Sequence, residues 1–163
     1  MSGKYMAYVG SYSYTGKAKG ITVFDVDVEN GTFRERCEME VDNSSYVIAS
    51  SDGKTLYSIA DEGVVSFRIL QNGSLARLNS APIRGMRGCH LCTDMEDKYV
   101  FVSGYHDGKT TVLSLNKDGS VGEIVDEVYH KGYGSVAERN FRSHITCTRR
   151  MPDGRYVLSV DNG

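Results

Sequence analysis

Glu29-Asn30-Gly31-Thr32-Phe33, Gln71-Asn72-Gly73-Ser74-Leu75 and Lys117-Asp118-Gly119-Ser120-Val121 are three copies of one turn, and their repetition decides the fold. In each, an Asn-Gly or Asp-Gly pair supplies the positive φ of a tight hairpin, flanked by strand-forming residues. The three glycines stand 42 and 46 residues apart. A second turn keeps the same phase. Ser51-Asp52-Gly53-Lys54 precedes Thr55-Leu56-Tyr57, Met95-Glu96-Asp97-Lys98 precedes Tyr99-Val100-Phe101, and Pro152-Asp153-Gly154-Arg155 precedes Tyr156-Val157-Leu158. Lys54, Lys98 and Arg155 are 44 and 57 residues apart. Two turn types repeating together near 45 residues, with four short strands per repeat, define the blade of a β-propeller.

The sequence between the turns agrees. Runs of Val, Ile, Tyr, Phe and Thr alternate with glycines, and no window keeps apolar residues at helical spacing for three turns. The fold class is all-β, a propeller of four-stranded antiparallel blades, about three and a half of them. The repeats place blade 1 at residues 5–41, blade 2 at 46–81, blade 3 at 89–129 and a partial blade 4 at 144–163. Blade 1 lacks an inner strand and blade 4 its two outer ones, so the chain is expected to be part of one propeller domain. Unpaired strand edges template further pairing, so a homo-oligomer completing the ring is expected.

Composition narrows the partners. The 19 Lys and Arg against 21 Asp and Glu leave no global field to attract nucleic acid or an anionic membrane surface. Neither a signal peptide nor an apolar run of about 18 residues is present, and four scattered cysteines do not make a disulfide framework; a soluble, cytoplasmic protein is expected. Gly at 18 of 163 residues and only two prolines suit many tight turns.

Blade topology sorts the loops by face. The two turn types emerge on one face, and the remaining connections on the other, where a propeller usually binds its ligand. That second face is expected to gather Asp61, Glu62, Arg84, Arg87, His90, Tyr105, His106, Asp107 and the segment His130–His144, hence all four histidines. The longer last spacing, 57 against 44, falls in that segment. A long loop in a tight repeat is commonly functional. Cys89-His90-Leu91-Cys92 has the form of a metal motif, but residues three apart on a strand face opposite ways, so no metal site is expected there. Gly132-Tyr133-Gly134 lacks the Gly-Lys-Ser/Thr of a phosphate loop.

Tyr8-Val9-Gly10-Ser11-Tyr12, Gly20-Ile21, Gly88-Cys89-His90-Leu91, Tyr105-His106-Asp107-Gly108 and the His130–His144 stretch resemble the lactonase propellers typified by the propeller-type 6-phosphogluconolactonases. That family tends to read His-x-Gly-x-Gly, then Arg-Gln, then His-x-His in the last loop. His130, Gly132, Gly134, Arg139 and His144 match; Asn140 stands for Gln, Ser143 for a common Pro and Thr146 for the second His.

The resemblance covers the first half of a seven-bladed ring. It implies hydrolysis of a small anionic sugar lactone, of the 6-phosphogluconolactone type, and activity that belongs to the completed ring; no cofactor or metal ligand set is expected from the residues. Lactone formation by a carboxymuconate-type cyclase, or a binding propeller without catalysis, are the alternatives. Opening a lactone needs a base for water, a donor for the oxyanion and cations for the anionic substituent. His144 is expected as base or acid and Arg139 as anion clamp, with His90, His106, His130, Arg87 and Arg142 lining the substrate.

Overall fold

A computed structural model describes residues 5–132, 134 and 141–163, and Arg139 therefore lies outside the described residues. The described chain is all strand and turn. In the first repeat, β1 (Tyr5–Gly10), β2 (Gly20–Asp27) and β3 (Thr32–Glu40) form a three-stranded antiparallel sheet. In the second, β4 (Val47–Ala49), β5 (Thr55–Ile59), β6 (Gly63–Ile69) and β7 (Leu75–Pro82) pair in sequence order. The third repeats this with β8 (His90–Thr93), β9 (Tyr99–Gly104), β10 (Lys109–Leu115) and β11 (Val121–Tyr129). A last pair is β12 (Ile145–Arg150) with β13 (Val157–Asp161).

The turn residues do what their chemistry requires. Gly31, Gly73 and Gly119 adopt φ of 63, 81 and 87°, which β-carbon sterics deny most side chains. In the other turn family Gly53 and Gly154 have φ of 68°, and Asp97, in the matching position before Lys98, has φ of 51°. Asp97 also accepts a 2.7 Å hydrogen bond from the Ser51 amide of the neighbouring repeat, tying two like turns together.

The sheets stack face to face, so consecutive residues of one strand can both be buried. Leu56, Val65 and Phe67 pack against Ile21 and Val23 of the first sheet. Tyr57, Ile59 and Val64 point the other way, against Leu91, Val100, Val102 and Leu113 of the third. Alternation in and out therefore becomes alternation between two cores, and all five residues of β5 are buried. The boundary between the third and fourth sheets is more polar. There Thr148 shares hydroxyl contacts with Ser103 at 2.9 Å, Ser159 at 3.1 Å and Thr110 at 3.3 Å.

A β-bulge recurs where each outer strand meets its neighbour, at Val23/Phe24, Ser66/Phe67 and Val112/Leu113. Each adds local twist to the outer strand of a blade.

Candidate functional site at the channel mouth

Antiparallel order sends the connections β1–β2, β5–β6, β7–β8, β9–β10 and β11–β12 to one end of the sheets, and contacts between them show that they meet. Arg87, from β7–β8, donates to Asp61, from β5–β6, at 2.7 Å, and its guanidinium lies 4.9 Å from the Tyr12 ring centroid. Asn43 donates to both Asp61 oxygens at 2.9 and 3.0 Å and accepts from the amides of Ser13 and Tyr14. Arg87 is thus a half-buried cation at the mouth, held from two sides.

His144 is the most firmly positioned of the expected residues. It is only 4% exposed, and its ring stacks on Tyr105 with centroids 4.3 Å apart and planes 16° from parallel. Nδ1 lies 2.9 Å from the Tyr105 carbonyl oxygen. A carbonyl only accepts, so Nδ1 carries the hydrogen and the neutral ring keeps its lone pair on Nε2. The backbone is held too, because the His144 amide donates to Asp161 Oδ1 at 2.8 Å. The Asp161 carboxyl titrates below its usual range: desolvation, the largest influence, raises it, but the amides of His144 and Gly163 and the charge of His130 outweigh that.

The other expected residues spread around this point. His130 donates its amide to the Gly108 carbonyl at 2.9 Å and places Nε2 3.3 Å from Thr110 Oγ1. His106 is exposed, edge-on to Tyr105. Arg142 is exposed, with its guanidinium 5.4 Å from the Phe141 ring centroid. His90 sits deeper, on the inner strand β8. Its Nδ1 accepts from the Thr148 amide at 3.4 Å, and its Nε2 is 3.6 Å from Cys147 Sγ. Burial first, and the charge of Arg149 second, hold its pKa below the ordinary histidine value. Both ring nitrogens are engaged by the protein, so His90 contributes a wall rather than a free base.

Two residues escaped the sequence reading. Lys109 is 2% exposed, and its ammonium donates to the carbonyls of Ile83 at 3.1 Å and Arg84 at 2.7 Å and pairs with Glu127. It thereby pins the connection that carries Arg87. Asp107 assists, accepting from the Met86 amide at 2.7 Å. The signal was a broken repeat: Lys109 stands where the first two sheets have Gly20 and Gly63, whose added β-carbons would lie 2.2 and 2.1 Å from a backbone oxygen. The second is Asp161, whose signal was Asp61. Asp161 ends the second strand of its repeat and Asp61 lies two residues beyond its own, and each grips a residue that leads into the first strand, His144 or Asn43.

Cys89 Sγ contacts the carbonyls of Ser103 and Ile145, whereas Cys92 lines the inner strands. Among the described residues no helix is long and apolar enough to cross a membrane.

Stacked four-stranded sheets with ligand-type side chains at one end define a β-propeller. The sequence matches the lactonase, 7-bladed beta-propeller family over residues 6–163, and the chain belongs to that family. It is 34% identical to a 6-phosphogluconolactonase of Bacillus subtilis over 98% of this chain and 47% of that protein. A 6-phosphogluconolactonase candidate from Bacteroides fragilis superimposes with a TM-score of 0.89 at 33% identity, over 97% of this chain and 45% of the other. The periplasmic gluconolactonase of Pseudomonas aeruginosa shares the fold at 23% identity, with a TM-score of 0.87 over 96% and 46% of the two chains. The chain spans about half the length of these relatives.

Proposed function

We propose that this chain supplies the His144 side of a site that hydrolyses an anionic sugar lactone, 6-phosphogluconolactone being the substrate the named relatives suggest. The observation that carries the reading is His144 itself, a nearly buried imidazole whose Nδ1–H is spent on the Tyr105 carbonyl. That leaves Nε2 to take a proton from water as the water oxygen attacks the lactone carbonyl. The negative charge that develops on the carbonyl oxygen needs a nearby cation, and Arg87 and Arg142 are the described candidates, with Arg139 from the family motif. Collapse breaks the ring ester bond. The imidazolium returns its proton to the departing ring oxygen, and lactone plus water becomes the open hydroxy acid.

A second reading, a ring that binds such a lactone without opening it, is favoured by one observation. Thr146 stands where the family carries a second imidazole, and its hydroxyl donates to the Val160 carbonyl at 3.3 Å. A lactone-forming cyclisation would use the same groups in reverse.

Acid release from 6-phosphogluconolactone, measured in a completed ring against spontaneous opening, separates these readings. His144→Gln is expected to lower turnover by about 100-fold or more, the usual scale for a general base. Arg139→Ala is expected to weaken substrate binding by about 1.5 to 3 kcal/mol, the scale of a charge-assisted hydrogen bond. Equal rates for the wild type and both variants would remove this loop from the chemistry.

A further inference from the structure

Two connections lead from an outer strand into the next inner one, and they are held in different ways. Residues 41–46 run from β3 into β4, and residues 83–89 run from β7 into β8. The first anchors itself. Asn43, in the left-handed region at φ 52°, grips Asp61 and accepts from the Ser13 and Tyr14 amides with its own side chain. Asparagine tolerates that conformation. The second places Arg84 there, at φ 49°, with its side chain exposed. A bulky residue disfavours the left-handed region, so the surroundings must hold it.

Those surroundings belong largely to the next repeat. Between the Ile83 amide, bonded to Glu62, and the Cys89 amide, bonded to Ser103, the connection is gripped by Lys109 and Asp107. Lys109 Nζ donates to the carbonyls of Ile83 and Arg84, and Asp107 Oδ2 accepts from the Met86 amide. At Gly85 the chain passes so close that an added β-carbon would lie 2.3 Å from Asp107 Oδ2. Glu127, on β11, completes the cluster by pairing with the ammonium. An ammonium has three protons. The two carbonyls and Glu127 take all of them, so the buried Lys109 keeps no donor for a ligand.

We propose that Lys109, with Asp107 and Glu127, is a positioning cluster for Arg87, setting from the third sheet where the second sheet's connection delivers its guanidinium. Asp61 and Tyr12 hold the tip of Arg87; Lys109 and Asp107 hold its root, the backbone just before it. Both are needed, because a long side chain held only at its tip can reach Asp61 in several rotamers. The catalytic consequence rests on the lactone-hydrolase reading, in which Arg87 is a cation for the developing negative charge. The positioning itself does not.

Proton NMR of the 163-residue chain tests the positioning with no substrate present. The Tyr12 ring shifts the Arg87 side-chain protons upfield, a signal assigned by its loss in Arg87→Met. In Lys109→Met and in Asp107→Ala it should move most of the way to the value of a free arginine. Lys109→Met breaks a buried pair and is the more disruptive change. Should it fail to fold, Asp107→Ala, at a half-buried side chain, decides alone. An Arg87 signal that stays in place would overturn the proposal.

Kinetics in a completed ring test the consequence. Arg87→Met, Lys109→Met and Asp107→Ala should each lower kcat/KM for 6-phosphogluconolactone about ten-fold, within what a small misplacement costs. Adding Arg87→Met to either of the others should cost no more than Arg87→Met alone, since both act through one guanidinium. Leu56→Ala, which weakens a core away from the mouth, should leave kcat/KM unchanged. Losses that multiply would make Lys109 and Asp107 props of the fold and overturn the proposal. If Arg87→Met costs nothing, it is the role of Arg87 in hydrolysis that fails, and the NMR shifts still decide the positioning.

Discussion

Strands β5 and β13 hold the same place in the second and fourth repeats, yet every residue of β5 is buried and every residue of β13 is exposed. Leu56 is 2% exposed and Leu158 is 56% exposed, although both follow the same turn device. Local sequence cannot account for the difference, since three of the five residues are apolar in each strand: Leu56, Tyr57 and Ile59 in β5, Val157, Leu158 and Val160 in β13. What differs is the neighbour. β5 lies in a sheet stacked on both faces, between the cores of Ile21 and Phe67 on one side and Val100 and Leu113 on the other. In a propeller, burial belongs to pairs of blades, and a strand's pattern states the neighbour it is built for.

Truncating the two leucines gives the sharpest contrast. Leu56→Ala should cost about 2 to 5 kcal/mol, the range for a buried leucine whose cavity cannot fully collapse. Leu158→Ala should stay within about 0.5 kcal/mol, as exposed substitutions usually do. Urea unfolding of both variants measures the pair. Similar losses would mean that β13 is covered in solution, and the comparison would fail.

A smaller effect tests what covers it. Val157, Leu158 and Val160 are 43 to 56% exposed on β13, and Tyr5 and Val9 on β1 are 55 and 42% exposed. Apolar faces and unpaired edges of this kind associate. Two chains meeting through their end sheets are the proposed outcome, seen as a dimer or higher species in sedimentation at micromolar concentration. Leu158→Lys should weaken association about ten-fold, or about 1.4 kcal/mol. A monomer at every concentration would show that the end sheets are stable uncovered.

The turns made the fold legible because each is a local device: an Asn-Gly pair needs only its own backbone to declare a hairpin. The three glycines of the repeated turn fall between paired strands, Gly31 between β2 and β3, Gly73 between β6 and β7 and Gly119 between β10 and β11. The bulges were not legible. Skipping Arg36, Leu78 or Val125 in the ladder depends on how an outer strand twists against its neighbour, and no residue type marks it. The site was legible as a list of mouth residues but not as a set of roles. His90 and His144 look alike in sequence. Only the Thr148 amide on one ring and the Tyr105 carbonyl on the other separate a His90 engaged at both ring nitrogens from a His144 proposed as base. Lys109 was hidden because a lysine opening a strand normally reads as solvent-exposed.

The smallest expected effect concerns pH. His90 lies on the inner strand β8, where burial first and Arg149 second depress its pKa in the folded chain. In the unfolded chain it should titrate near its ordinary value of about 6.5. Between the two values the unfolded state binds a proton that the folded state refuses, so stability rises with pH across that window. The stability linked to His90 is complete above about pH 6.5 and is lost on acidification toward the folded value. His90→Gln should therefore flatten the pH dependence of the urea midpoint below pH 6.5 while barely changing its slope above. Arg149→Met should remove the smaller, electrostatic share and raise the His90 pKa, read from its ring resonances in an NMR titration. If His90→Gln leaves the acid limb unchanged, the proton is taken up elsewhere.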